Sequence, residues 1–252
     1  MDPSRYLQRI GHPLDVPLLP ESLASLMDHH LRLVPFENLD IHLGVPISLD
    51  LRDMYGKIVA RRRGGFCYEL NGLFAWLLSE IGFEVDMLAA RVVGSGGTLG
   101  IEYDHMVLLV HLEDDWLVDV GFGDSHRTPL RLGTDEVQPD PVGQFRVIES
   151  HAGPRLERRK GDGDWIGQFV FTTQPQVLSA YMPACRWQQT SPDSHFTQQR
   201  VATIALPDNG RLTYSGTRRI ETTAHGRTEV ELESEEAWWS GLAEELGISL
   251  DR

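Results

Sequence analysis

Apolar side chains recur along this chain at two different spacings. In PESLASLMDHHLRLV they fall at Leu23, Leu26, Met27 and Leu31 with His30 on the same stripe, which predicts an amphipathic helix entered at Pro20 and closed by Pro35. A second stripe, Leu70, Leu73, Phe74, Leu77, Leu78 and Ile81, predicts a helix from Cys67 to Ile81 with Gly82 as its stop. Beyond Gly82 the pattern shifts to short alternating or wholly apolar runs. FEVDMLAARVV, HMVLLVHL and WLVDV read as strands, the last two joined as a hairpin through the acidic turn Glu113 to Asp115. GQFRVIES, DWIGQFVFTT and RVATIAL are further strand candidates, and GDGD and PDNG are turns. The last segment, SEEAWWSGLAEELGI, predicts a closing helix that starts at Ser234. The order is a helical front, a β middle and a mixed tail, with boundaries expected near residues 84 and 188.

A chain of 252 residues with 41% hydrophobic content has enough apolar surface for one large domain or a few tightly packed small ones. Its formal charge of −14, from 23 basic and 37 acidic side chains, argues against nucleic acid or an anionic membrane as partner. A small molecule or a protein fits better. The N-terminus lacks the charged-then-apolar pattern of a secretory signal, and no apolar run is long enough to span a bilayer, so a cytoplasmic protein is expected. Two cysteines, Cys67 and Cys185, make no disulfide framework. Neither has the companions of a metal site, so no metal is expected.

In RRRGGFCYEL, Cys67 follows a double glycine and three arginines where a helix should begin. Unpaired N–H groups at a helix start, with Arg63 one short loop away, would lower a thiol pKa and yield a nucleophilic thiolate. Gly64 and Gly65 would let the backbone turn sharply there. The competing reading is a buried core thiol, since position 67 continues the apolar stripe. A nucleophile needs a base. Of ten histidines, His105 is best placed, at the edge of an apolar strand. Asp119 is a lone carboxylate inside WLVDV and, if buried, needs a hydrogen-bonding partner. With Glu113 to Asp115 as the loop, Asp119 pairs with Leu109 and shares the parity of His105, yet stands about 13 Å from it at ~3.3 Å per residue. Spacing thus suggests the pair and leaves open the alternative of a local Asp119 cap and a surface His105. A Cys–His–Asp set would perform acyl transfer through a thioester, to water or to an amine.

Seven blocks in order and spacing, YLQRIG, VPFENLDIHLG, KIVARRRGGFCYELNGLF, GFEVDMLAARV, HMVLLV, LVDVGFG and SPDSHF, resemble the arylamine N-acetyltransferases. The resemblance implies an α+β fold with a cysteine-protease-like core: an N-terminal helical bundle (1–84), a central β-barrel (85–188) and a C-terminal α/β lid (189–252). It implies Cys67 as the acyl-accepting thiolate, His105 as base and Asp119 as orienting acid. It further implies an Arg63–Glu37 ion pair, Phe36 as a wall of the acceptor pocket, and Gly121, Phe122, Gly123 and Phe196 around coenzyme A, the glycines giving close backbone approach and N–H donors. No permanently bound cofactor is implied. Acetyl-CoA or another short acyl-CoA is the co-substrate, and an aromatic amine, arylhydrazine or hydrazide the acceptor, in a ping-pong reaction.

Three features depart from that pattern: a short chain, which suggests a trimmed lid and closing helix; Asp104 before His105, where a carboxylate would repel CoA phosphates; and Cys185 where relatives often carry Asn. They are compatible with an amide synthase, which takes a polyketide from an acyl carrier protein and closes a macrolactam on an aromatic amine. A papain-like or transglutaminase-like hydrolase would instead turn over with water, and a non-catalytic binding module would have kept only the fold.

Overall fold

A computed structural model describes residues 1–250. The front of the chain folds as α1 (Pro3–Arg9), α2 (Pro20–Leu33), a two-residue strand β1 (Phe36–Glu37), the single turn α3 (Leu39–His42), α4 (Leu51–Tyr55), which runs into a π turn, and α5 (Cys67–Glu80). Both apolar stripes read from the sequence face one core, which buries Leu23, Leu26 and Met27 of α2 against Leu70, Leu73, Phe74, Leu77 and Leu78 of α5. His30 belongs to that core too, its Nε2 hydrogen-bonded at 2.9 Å to the Tyr6 hydroxyl.

The middle is an all-antiparallel eight-stranded sheet: β2 (Glu84–Val92), β3 (His105–His111), β4 (Asp115–Val118), β5 (Leu130–Arg131), β6 (Gln138–Asp140), β7 (Gly143–Ile148), β8 (Arg155–Arg159) and β9 (Ile166–Gln176). Its order, β5-β4-β3-β2-β9-β8-β7-β6, curls into a nearly closed barrel. The end strands do not pair by backbone; the Gln138 amide bridges them, accepting from Arg131 N at 2.8 Å and donating to Arg131 O at 3.0 Å.

The unbroken apolar run of β3 has a structural cause. Met106, Leu108 and Val110 face the helical core, whereas Val107 and Leu109 face the barrel core, so both sides are covered. The β3–β4 register differs from the one expected. His111 pairs with Asp115 and Leu109 with Leu117, so the three-residue loop runs from Leu112 to Asp114, and each β4 residue stands opposite a β3 residue two positions earlier than a Glu113–Asp115 loop would give. Strand β4 also ends at Val118, short of the expected WLVDV run.

The tail contributes α6 (Met182–Thr190), α7 (His195–Gln198), four strands, β10 (Val201–Ala205), β11 (Arg211–Ser215), β12 (Arg218–Thr223) and β13 (Gly226–Glu231), and the closing helix α8 (Glu235–Leu246). Ser234 caps α8 by accepting from Ala237 N, and Trp238, Leu242 and Leu246 seat the helix on the sheet, so the closing helix is present and packed. The front and tail share a sheet. β1 is its edge strand, with Phe36 opposite Thr203 and Glu37 opposite Ala202. Asn38, fully buried, donates to Phe196 O and Gln199 O and accepts from Val201 N at 2.7 Å. Position 84 opens β2, while position 188 falls inside α6, whose Ala184 and Cys185 pack into the helical core.

Between β1 and α5 lies a buried ionic cluster. Arg63 Nη2 meets Glu37 Oε1 at 2.7 Å and Asp40 Oδ1 at 2.9 Å. Lys57 Nζ meets Asp40 Oδ2 at 2.7 Å and Glu69 Oε1 at 2.8 Å. Burial alone would push the Lys57 ammonium down, but its surrounding carboxylates, Glu69 first, hold it above the ordinary lysine value. Removing one partner of such a cluster strands a buried charge. Lys57→Met is therefore expected to lower unfolding free energy by about 3–5 kcal/mol, read by urea denaturation.

His111 links three strands, with Nδ1 at 2.6 Å from Asp115 and Nε2 at 3.0 Å from Asp86. The Asp86 hydrogen bond, outweighing desolvation, raises its pKa above the ordinary histidine value. A group raised in the folded state contributes its full stability below an unfolded pKa of about 6.5 and loses it as pH rises through the folded value. Stability should thus fall from pH 6 toward pH 8 by less than about 1 kcal/mol, because solvent screens the site, and His111→Gln should remove that slope in pH-resolved denaturation.

Candidate active site

Cys67 is the first residue of α5, and the segment before it is fixed from three sides. Glu69 reaches back to accept from Phe66 N at 3.1 Å, and the ionic cluster holds Glu69 in turn. The sharp turn is made at Arg62, with φ of 55°, and not at the double glycine. The glycines answer a different need. A Cβ on Gly64 would lie 2.0 Å from Pro35 O, and one on Gly65 2.8 Å from Glu69 Oε2, so the loop packs too tightly for any side chain. Arg63 is committed to Glu37 and Asp40, which removes it as a cation for the thiol.

Burial pushes the Cys67 thiol well above its ordinary value, Asp104, Cys185 and Asp119 add to the rise, and the Tyr68 N–H at the helix start opposes it without cancelling it. The helix terminus alone therefore does not produce a thiolate, contrary to the sequence-based expectation, because desolvation outweighs one N–H and a partial dipole charge.

His105 opens β3 on the barrel side, where its ring meets Phe122 and Phe169 at centroid distances of 5.2 and 5.5 Å. Its Nε2 lies 2.7 Å from Asp119 Oδ2. The observed register places Asp119 two residues along the strand from His105 instead of four, which closes the gap the expected loop left open. Asp119 is 2% exposed and fully partnered: Oδ1 accepts from Asn71 Nδ2 at 2.9 Å and from Gly121 N at 2.8 Å. Burial alone would raise this carboxyl; His105, His126 and the Asn71 amide more than offset it and hold it below the usual carboxylate value. Asn71 also donates to Met106 O at 2.7 Å and accepts from Val120 N at 2.9 Å. Four residues after Cys67, it stands one helical turn further along α5, so one amide ties the cysteine's helix to the strand of His105 and the loop of Asp119. Gly121 completes the contact: a Cβ there would meet Cys67 Cα and Asn71 Nδ2, each at 2.8 Å. Its N–H is spent on Asp119 and is not free for an anion, which differs from the donor role that the resemblance implies.

Cys67 opens into a cavity of about 760 Å³ walled by Phe36, Phe122, Trp187 and Phe196, with Asp104, Gln188 and Gly121 at its polar side. Phe36 and Phe196 pack at 5.9 Å. Asp104 accepts from Gln188 Nε2 at 2.7 Å, and Tyr68 Oη donates to the carbonyls of Tyr103 and Asp104, fixing the segment that leads into His105. Gly123 does not line this cavity; it faces a second cleft that shares Phe36 and Phe122. A larger cavity, of about 1340 Å³, lies over Cys185 and Met182 and includes none of Cys67, His105 and Asp119, so volume does not identify the site here. Sequence reasoning missed Asn71, Tyr68, Lys57 and Glu69. The legible signal was Asn71, a polar side chain on the apolar stripe one turn after Cys67.

Comparison with known proteins meets this geometry independently. A family model described as N-acetyltransferase matches residues 20–252. The arylamine N-acetyltransferase of Escherichia coli is 33% identical over 251 residues, covering 98% of this chain and 89% of that one. Proansamycin X synthase of Amycolatopsis mediterranei is 38% identical over 183 residues, 71% of this chain and 70% of its own. The structure of Mycobacterium marinum arylamine N-acetyltransferase in complex with CoA superposes with a TM-score of 0.90 at 32% identity, over 98% of this chain and 93% of that one. The α+β architecture, the loop order and the sequence all agree, and the chain belongs to the arylamine N-acetyltransferase family.

Proposed function

We propose that the protein transfers an acetyl group from acetyl-CoA to the nitrogen of an arylamine, arylhydrazine or hydrazide through a thioester on Cys67, with His105 as base and Asp119 as its orienting acid. The observation that carries this reading is the buried His105–Asp119 contact of 2.7 Å, tied through Asn71 to the helix that begins at Cys67. With Nε2 committed to Asp119, Nδ1 is the nitrogen that exchanges protons. Because burial disfavours a lone thiolate, the thiol proton passes to His105 as the sulfur becomes nucleophilic, and Asp119 balances the imidazolium.

The sulfur attacks the acetyl carbonyl carbon, the carbon–sulfur bond to CoA breaks, and the leaving CoA sulfur takes the proton from His105. The acceptor nitrogen then attacks the Cys67 thioester, His105 removes a nitrogen proton, and the amide leaves with Cys67 restored as a thiol. Phe36, Phe122 and Phe196 suit a flat aromatic acceptor, which stacks where a flexible aliphatic amine would not. In this reading Phe36 is the acceptor wall and Phe122 and Phe196 line the acyl-donor channel, while Gly121 gives close backbone approach and no N–H donor. A second reading, an amide synthase fed by a carrier-borne acyl chain, is favoured by Asp104 beside the thiol and by the likeness to proansamycin X synthase.

Brief exposure to acetyl-CoA should add about 42 Da, the mass of one acetyl group, at Cys67 in intact-protein mass spectrometry, and Cys67→Ala should abolish it. Absence of the adduct in the parent protein, with a thioester mimic of a longer acyl chain still reacting, would select the amide synthase reading. Asn71→Ala unpairs Asp119 Oδ1 in part and leaves Val120 N–H without its acceptor. It should cost about 2–4 kcal/mol of stability by urea denaturation and slow Cys67 alkylation by iodoacetamide at pH 7 at least tenfold.

A further inference from the structure

The loop that leads into His105 is built around one carboxylate. Asp104, the residue before the proposed base, lines the catalytic cavity together with Arg91, Trp187 and Gln188. Tyr103, which precedes it, has a φ of 59°, a left-handed conformation unfavourable for an aromatic residue. Three contacts keep it there. Its hydroxyl donates to Gln176 Oε1 at 2.9 Å, its ring meets Tyr181 edge-on at 5.2 Å, and its carbonyl accepts from Tyr68 Oη at 2.8 Å. Gly100 leaves the room the carboxylate needs, since a Cβ there would lie 1.9 Å from Asp104 Oδ2. Backbone strain held from several sides marks a constraint on the side chain that follows.

The carboxylate so placed is only half satisfied. Oδ1 accepts from Gln188 Nε2 at 2.7 Å and Oδ2 from Val92 N at 3.3 Å. The Ser194 hydroxyl donates to Gln188 Oε1 at 2.5 Å, which fixes the amide with its nitrogen toward Asp104. Both neighbours are donors, and about two of the roughly four acceptor positions of an ionised carboxyl stay open. Asp104 has no ion-pair partner among the described residues. Arg91 acts on it through its charge alone, its Nε being given to Gly100 O at 2.9 Å. Burial pushes the Asp104 carboxyl above the ordinary aspartate value; the Val92 N–H, His105, Gln188 and Arg91 pull against that rise without cancelling it. A carboxylate in this state is stabilised by any group that brings it donors or positive charge.

The apolar walls, Phe36, Phe122, Trp187 and Phe196, accept an arene without distinguishing its substituents. We propose that Asp104 is a specificity-determining residue for the acyl acceptor: it takes an N–H, O–H or cationic substituent on the ring of the incoming aromatic amine and turns carboxylated arylamines away. The inference rests on the acyl-transfer reading of Cys67 and narrows the acceptor class within it. Arg91, on the same wall, is the group that would draw a carboxylate instead. Asp104 outranks it here because its open acceptor positions face the cavity and its charge acts on the Cys67 thiol.

The test compares 4-aminobenzamidine, 4-aminobenzamide and 4-aminobenzoate, which share one planar, forked shape and are positive, neutral and negative. Cys67 is acetylated from acetyl-CoA, the excess donor is removed, and the second-order rate at which each amine clears the thioester is followed by intact-protein mass spectrometry. For each amine the rate in Asp104→Asn is divided by the rate in the parent protein, which cancels its intrinsic nucleophilicity. That quotient should be at least about tenfold larger for the benzoate than for the amidine, with the amide between them. A smaller spread or the reverse order overturns the proposal; a merely structural loss slows all three alike and gives no spread. Should Asp104→Asn fail to fold, or acetyl-CoA leave the parent Cys67 unmodified, the unreactive benzamidine and benzoate are titrated against the rate of Cys67 alkylation by iodoacetamide in the parent protein. A half-maximal concentration for benzamidine at least about tenfold below that for benzoate supports the role of Asp104. A smaller difference, the reverse order, or no effect of either overturns it. The missing acetyl adduct counts against the acetyl-transfer reading alone, so the two failures are told apart.

Discussion

A carboxylate sealed from water has to be surrounded by donors, and Asp119 organises the protein around that requirement. Its donors come from three places: the imidazole of β3, the amide of α5 and the backbone of its own turn. Satisfying one anion therefore docks the helical core onto the barrel at a fixed register. A shift of two residues in the β3–β4 hairpin would leave Asp119 opposite Leu109 and separate it from His105. Because a slip by one residue would turn the side chain to the other face, the donors also specify which face of β4's extension is buried.

The ionic cluster does for the loop before Cys67 what Asp119 does for the seam behind it. Glu37 and Asp40 come from the segment that joins the five-stranded sheet, Lys57 and Arg63 from the turns leading to the helix, and Glu69 from its first turn. Five ionisable side chains held together make the approach to Cys67 a rigid strut, and Gly64 and Gly65 let it pack without side chains. Arg63 is thereby architectural. The electrostatics at the sulfur are set by burial and by Asp104 and Asp119, which is why proton transfer to His105 carries the proposed chemistry.

Burial and charge also divide the two spaces that meet at Phe36 and Phe122. One is aromatic, with Asp104 and Arg91 on its wall; the other is rich in arginine, with Asp124 and Asp208 among the guanidinium groups.

Periodicity alone determined the helices at Pro20–Leu33 and Cys67–Glu80, most of the barrel strands and the capped helix that starts after Ser234, because each buries one stripe or lies between two cores. The spacing of the motif blocks determined the family and nominated Cys67, His105 and Asp119. The edge strand β1 and the short strands β5 and β6 were not legible: two or three residues carry no period, and their pairing depends on partners distant in sequence. The hairpin register was not legible either, since the same three-residue loop starting at Leu112 or at Glu113 satisfies the same parity. Only the tertiary structure made Asn71 the link between three elements, turned Arg63 from a cation near the thiol into a tie for Glu37 and Asp40, and gathered arginines from residues 127, 158 and 211 into one cleft. Local sequence fixes what each segment prefers; long-range satisfaction of buried charge decides where those segments meet.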